Sequence, residues 1–278
     1  PGAREDLAHF DGAIRAMDDA VGRILTALDG AGLRENTLVV FTTDHGIAFP
    51  GAKATLYDPG INTALLMRLP GRIEAGSVRS EMLSNVDLFP TLLELVGEKA
   101  PTDIQGRSFL GLLTGGAYAP RDFIFAEKNC STRDIKRCIR TPRYKYIRNY
   151  HPGPRLLLSS DIEASLTRRD MGNDHLAPRP RVEFYDLEDD PLETRNLAGD
   201  SRVAEPEREL ATKLNDVLES TNDPVLRGPI ERPPGEKAIY DRVLARIGEQ
   251  SRFSREGLVG GIEAMREGRY KPWNEEPS

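Results

Sequence analysis

Apolar residues recur at steps of three and four through the first thirty positions. Leu7, Phe10, Ile14, Met17, Val21, Ile24, Leu25 and Leu28 fall on one face of a helix, which Gly30 and Gly32 end. The period then changes. Residues 37–43 (TLVVFTT) form a short, nearly continuous apolar run, which predicts a strand buried on both faces, as in a parallel sheet. A loop punctuated by glycine and proline runs to Asn62. Residues 63–67 predict a second buried strand, stopped by Pro70 and Gly71. Residues 84–97 predict a helix with Pro90 near its first turn and Leu88, Leu92, Leu95 and Val96 inward. Helix, strand, loop, strand and helix make an α/β layer, with a mostly parallel sheet flanked by helices.

The character changes near Tyr118. Residues 123–126 predict a strand. Residues 138–140 and 144–147 flank Thr141-Pro142-Arg143 and predict a hairpin, with a further strand at 184–187. Leu210, Leu214, Val217 and Leu218 mark a helix. Strands in a run followed by one helix predict a smaller antiparallel α+β subdomain. From Asn222 the chain is rich in proline, arginine and glutamate. Ile239, Val243, Leu244 and Ile247 predict one short helix there, and Leu258, Ile262 and Met265 another. The expected organisation is therefore an α/β part over 1–117, the antiparallel subdomain over 118–221 and an extension over 222–278.

Composition supports a folded chain: 38% of the 278 residues are hydrophobic and 29% charged, enough for one large domain or a core with a smaller companion. The net charge is −6 and no basic stripe stands out, so nucleic acid is not an expected partner. No run is long and apolar enough to predict a membrane span. The start of the chain is polar and lacks an initiating methionine, so Pro1 reads as a cut edge and says nothing about compartment. Two cysteines, Cys130 and Cys138, cannot build a disulfide scaffold. With Asp134 between them their spacing is wrong for a zinc knuckle, and free thiols are expected.

Two places offer chemistry. Asp44-His45 follows a predicted strand at its carboxyl end, where open α/β sheets place ligands. A carboxylate and an imidazole in adjacent positions can reach one divalent cation, although Asp-His-Gly is also an ordinary turn. Lys53 lies shortly after, where its ammonium could hold an anion and neutralise charge developing on its oxygens; a solvated surface lysine is the bland alternative. His9, near the start of the first helix, reads as a surface or partly buried histidine. His151 and His175 lie in loops without an evident partner. Arg137, Arg140, Arg143, Lys145 and Arg148 on the hairpin form either a reader of an anionic substrate or a solvated basic strand face.

These pieces stand in an order that resembles the sulfatase family. Thr42-Thr43-Asp44-His45-Gly46 and then Lys53-Ala54-Thr55-Leu56-Tyr57-Asp58-Pro59-Gly60 are similar to its metal- and sulfate-binding stretch. Met17-Asp18-Asp19-Ala20-Val21-Gly22, the segment 86–97, Arg140-Thr141-Pro142-Arg143-Tyr144-Lys145-Tyr146 and the segment 185–197 fit the same family. Together they cover most of residues 7–220. The resemblance implies an alkaline-phosphatase-like superfold, here incomplete. It implies that Asp44 and His45 are metal ligands and that Lys53 contacts the sulfate. The implied metal is calcium, with manganese or zinc left open by the histidine. Residues 49–53 and 160–165 look closest to the heparan N-sulfatase branch, which implies a sulfated glycan or other sulfated small molecule as substrate.

The family's nucleophile is a formylglycine made within a C-x-[PA]-x-R motif, and this sequence holds no such motif; Cys130-Ser131-Thr132-Arg133 is a poor imitation. The chain is therefore expected to be the C-terminal portion of a sulfatase, inactive alone, with exposed apolar surface where the leading strands would lie. By resemblance the compartment would be periplasmic, secreted or lysosomal. Competing expectations are a phosphonate or phosphate ester hydrolase of the same superfold, and a non-catalytic fragment.

Overall fold

The computed structural model describes residues 1–129, 134–228 and 260–271, with isolated positions 230, 235, 238 and 273. Its helices in chain order are α1 (Gly2–Gly30), α2 (Asp58–Ile61), α3 (Leu88–Leu95), α4 (Leu110–Thr114), α5 (Ser160–Glu163), α6 (Leu166–Asp170) and α7 (Ala204–Ser220). Its strands are β1 (Val39–Thr42), β2 (Leu65–Arg68), β3 (Ile124–Asn129), β4 (Ile135–Arg140), β5 (Tyr144–Asn149) and β6 (Val182–Asp186). The helix expected around Ile239 to Ile247 lies outside the described residues, as do Cys130 and Leu258. A short helix does form at Gly261–Arg266. None of the described helices is long and apolar enough to cross a membrane.

The residues divide into two units that interleave along the chain. One holds Pro1–Gly12, Asp44–Thr63 and Phe125–Ser278; the other holds Ala13–Thr43 and Ala64–Ile124. The interleaving arises because the segment carrying Asp44, His45 and Lys53 joins the later part of the chain.

The first unit is built on a sheet in the order β3-β4-β5-β6. The expected hairpin is present: β4 and β5 pair antiparallel with Cys138 opposite Ile147, and β6 pairs antiparallel with β5 with Tyr185 opposite Lys145. On α7, Leu210, Leu214 and Leu218 repeat every four residues and are all buried, which is how one helical stripe covers a sheet face. The helix packs on β4 and β5. Leu56, Cys138, Ile147, Tyr185 and Leu187 form a core cluster, with Tyr57, Ile61 and Ala126 against it. The loop after Lys53 is thus fastened to the sheet by Leu56 and Tyr57.

The second unit corrects the expected sheet. β1 and β2 pair antiparallel, with Val39 opposite Arg68 and Thr42 opposite Leu65. No parallel pairing occurs in the pairs given for the described strands. An apolar run reports burial but not the direction of its neighbour, so the sequence could not decide this. Nor are the two strands covered on both faces: β1 alternates between half-buried and exposed residues, and in β2 Leu66 is 60% exposed between half-buried neighbours. The apolar face of α1 exists where expected, yet none of its residues is buried, and Ile24 is 68% exposed.

Candidate functional site

Asp44 and His45 follow β1 in the chain, and Gly46 turns it. The Gly46 N–H donates to the carbonyl of Gly60 at 3.0 Å, which pinches residues 46–60 into a closed loop. A Cβ at position 46 would collide with the carbonyl oxygen of Pro59, so this close approach requires glycine. Inside the loop the Lys53 N–H donates to the Ile47 carbonyl at 3.0 Å. The backbone of Lys53 is thereby drawn to within two residues of His45.

The His45 ring is held by a defined contact. Nδ1 lies 2.7 Å from the carbonyl oxygen of Gly46. A carbonyl can only accept, so Nδ1 carries the proton. Nε2 lies 3.6 Å from Asp44 Oδ2, and the Asp44 side chain is 88% exposed. In a neutral imidazole, Nε2 then presents a lone pair toward a carboxylate. Both groups are open to solvent, so water or a cation can lie between them. Among the described residues, no group of three or more His, Cys, Asp or Glu side chains could hold a metal ion. Asp44 and His45 are thus two adjacent donors, an oxygen and a nitrogen, of the kinds a divalent cation accepts.

Lys53 is not a free surface lysine. Its Nζ donates to Asp161 Oδ2 at 2.8 Å, and the two side chains are 27% and 49% exposed. Burial alone would raise the Asp161 carboxyl, but the hydrogen bond and charge of Lys53 outweigh it and hold the group below the usual carboxylate range. Ala54, the next residue, has φ +64°, a left-handed conformation that costs a non-glycine residue about 1 kcal/mol or more. Lys128 donates to the Ala54 carbonyl and also to Asp134. Asp134 is fully buried and is further paired with Arg179. Sequence reasoning passed over Asp161 and Lys128, which stand 108 and 74 residues from their partners in this loop. The segment 160–165 carried a family resemblance, but no local pattern announced the contact.

The basic hairpin is neither of the things expected. Arg137 and Lys145 are fully buried. Arg137 pairs with Asp223, Arg140 with Asp58, and Arg143 with Asp186. Lys145 Nζ sits 2.6 Å from both Asp58 Oδ1 and Glu193 Oε1. Arg148 donates to Asn215 and lies over the Tyr146 ring. For Arg137 and Lys145 the physical reason is position: β4 and β5 are the middle strands of the sheet, so these two cations are internal and must be paired, whereas Arg143, in the turn between them, stays half exposed. Beside them a cavity of about 470 Å³ is lined by Asp58, Arg140, Pro142, Arg143, Leu187, Glu188 and Pro191. Both of its arginines already hold carboxylates.

The remaining candidates do not converge. His9 is a surface residue 3.9 Å from Glu5. His175 is buried, with Nε2 3.8 Å from Glu163 Oε1. Cys138 is a free thiol inside the core, and the neighbouring Asp134 is committed to lysine and arginine, so neither belongs to a metal site.

Comparison with known proteins identifies the family. Residues 2–98 match the family model described as Sulfatase. An ulvan-active sulfatase of Formosa agariphila is 32% identical over 237 residues, which is 79% of this chain and 39% of that protein. The human N-sulphoglucosamine sulphohydrolase is 30% identical over 259 residues, 82% of this chain and 51% of its own length. A solved protein in complex with its substrate D-glucosamine-2-N,6-O-disulfate matches with a TM-score of 0.61 at 26% identity, over 79% of this chain and 41% of that one. The chain thus spans from about two fifths to half of these relatives. It belongs to the sulfatase family.

Proposed function

We propose that this chain supplies the cation-holding and sulfate-holding portion of a sulfatase that hydrolyses a sulfate ester or sulfamate on a sulfated sugar. The observation that carries the reading is the pinched loop of residues 46–60. It follows the Asp44–His45 couple directly and ties the backbone of Lys53 to Ile47. The names of the relatives support the substrate class, since they include a glycan sulfatase and a sulfamate hydrolase of an amino sugar.

In this reading Asp44 offers a carboxylate oxygen and His45 offers Nε2 to one divalent cation, and other ligands come from residues beyond these 278. Calcium is the metal that the family resemblance implies, while an imidazole nitrogen suits manganese or zinc. When bound, the cation supplies Lewis-acid polarisation of the sulfuryl group. A formylglycine, likewise from residues beyond these 278, supplies the nucleophile. Gly46 fixes the His45 tautomer so that Nε2 stays available. Lys53 binds the equatorial sulfate oxygens and stabilises charge that grows on them, with its ammonium set in place before the reaction.

The reading is tested in the intact enzyme by Lys53→Ala, which should lower kcat/KM for a sulfated sugar by about 100-fold or more. Wild-type turnover in that variant would sink it. The isolated 278-residue chain should show little turnover, and calorimetric titration with calcium should give weak binding that Asp44→Ala abolishes.

A further inference from the structure

A carboxylate touching the lysine that is assigned to sulfate needs a reason. Asp161 faces Lys53 at 2.8 Å and remains half exposed, so the pair is open to solvent as an ammonium and a carboxylate side by side. An ammonium carries three donors, and Asp161 occupies one. The other two can meet a sulfate oxygen without breaking the pair. The carboxylate then lies close to a bound anion and repels it, unless the ligand also brings a hydrogen-bond donor to that spot. The surface is complementary to an anion with a donor beside it, not to an anion alone.

Resting on the sulfatase reading above, we propose that Asp161 is a specificity-determining residue. It accepts a hydrogen bond from a hydroxyl or amine group adjacent to the substrate's sulfate, and so selects sugars sulfated on C2, C3 or C4 over aryl or alkyl sulfates. A sugar ring satisfies the requirement when the sulfate sits on C2, C3 or C4, whose neighbouring carbons carry hydroxyl or amine groups; a sulfate on C6 does not, because C5 carries only the ring oxygen. An aryl sulfate offers only ring C–H there. The discrimination comes from repulsion between the Asp161 carboxylate and a sulfate whose neighbour brings no donor to offset it.

The test compares three probes in the intact enzyme: glucosamine N-sulfate, glucosamine 6-O-sulfate and 4-nitrophenyl sulfate. Asp161→Asn keeps the shape and removes the charge; Asp161→Ala removes the acceptor. With Asp161→Ala, kcat/KM for glucosamine N-sulfate should fall roughly 10- to 100-fold, while the values for glucosamine 6-O-sulfate and 4-nitrophenyl sulfate hold or rise. Asp161→Asn should lie between, since its amide oxygen still accepts. Proportionate losses on glucosamine N-sulfate and the aryl probe would overturn the proposal and leave Asp161 as a support for Lys53 alone. A wild-type enzyme that prefers the aryl probe would overturn it too. Absence of any sulfatase turnover in the wild type would remove the underlying reading along with it. Melting midpoints of both variants, measured alongside, identify a loss that comes from misfolding.

Discussion

Lys128 donates a hydrogen bond to the carbonyl oxygen of Ala54, the residue that follows Lys53 and holds a left-handed φ of +64°. One buried cation thus fixes the peptide between Ala54 and Thr55, one residue beyond Lys53. Lys128→Met should loosen that peptide and also leave Asp134 short of a partner. Expected is a destabilisation of about 3 kcal/mol or more, read by denaturant unfolding, with kcat/KM falling further than stability alone explains. Ala54→Gly should relieve the strained φ at almost no cost in stability.

Lys145 is the most enclosed of the hairpin cations, with no side-chain exposure and carboxylates of Asp58 and Glu193 at 2.6 Å each. Burial pushes the Glu193 carboxyl up and Lys145 only partly offsets that, so the glutamate depends on its cation. Lys145→Met should cost about 3–5 kcal/mol, because two carboxylates lose their shared partner. Lys145→Arg should not restore the loss, since a guanidinium does not fit a space packed around an ammonium. Urea unfolding of the three proteins checks both statements.

Cys138 lies at 0% exposure in the core, and burial pushes its thiol up to about 12. A thiol so placed offers no thiolate at neutral pH. In a Cys130→Ser background, an aromatic disulfide reagent at pH 8 should leave the native protein unlabelled and react with one thiol per chain after denaturation. Rapid labelling of the native protein would contradict the packing of Cys138 against Ile147 and Tyr185.

Asp87 contributes a pH-dependent part of the second unit's stability. Burial raises its carboxyl, but Arg121 and the N–H groups of Arg107 and Ser84 outweigh burial and hold it below the ordinary value. A folded-state value below the unfolded one gives stability that is fully present above pH 4 or so, the unfolded value. That stability fades as the pH falls through the folded value. The gap in melting midpoint between wild type and Asp87→Asn should therefore be constant from pH 7 to 5 and shrink toward pH 3.

Local pattern carried some of this molecule and not the rest. The long first helix, the hairpin around Thr141-Pro142-Arg143 and the α7 stripe were legible, because each depends on periodicity or turn residues within a few positions. The antiparallel partnership of β1 with β2 was not, since an apolar run is silent about direction. The hairpin cations were misjudged for a related reason. Arg137, Arg140 and Arg143 find their acids 86, 82 and 43 residues away, and no window of sequence spans such distances. Family resemblance pointed to Asp44, His45 and Lys53, but it gave no hint that Lys53 would share its charge with Asp161.

The contact between Gly46 and Gly60 makes the intervening segment a clasp: its ends are fixed to each other, so changes within it need not propagate outward. Exposed residues between the ends, such as Ala48, can be exchanged while the acid–imidazole couple stays where it is; the buried Ala52 and Leu56, the Ala54 carbonyl, and the Tyr57 and Asp58 contacts hold the rest. Attempts to retune such a protein toward other anions should therefore edit the clasp's interior and leave its two glycines alone. A side chain at either end would spring the whole segment open.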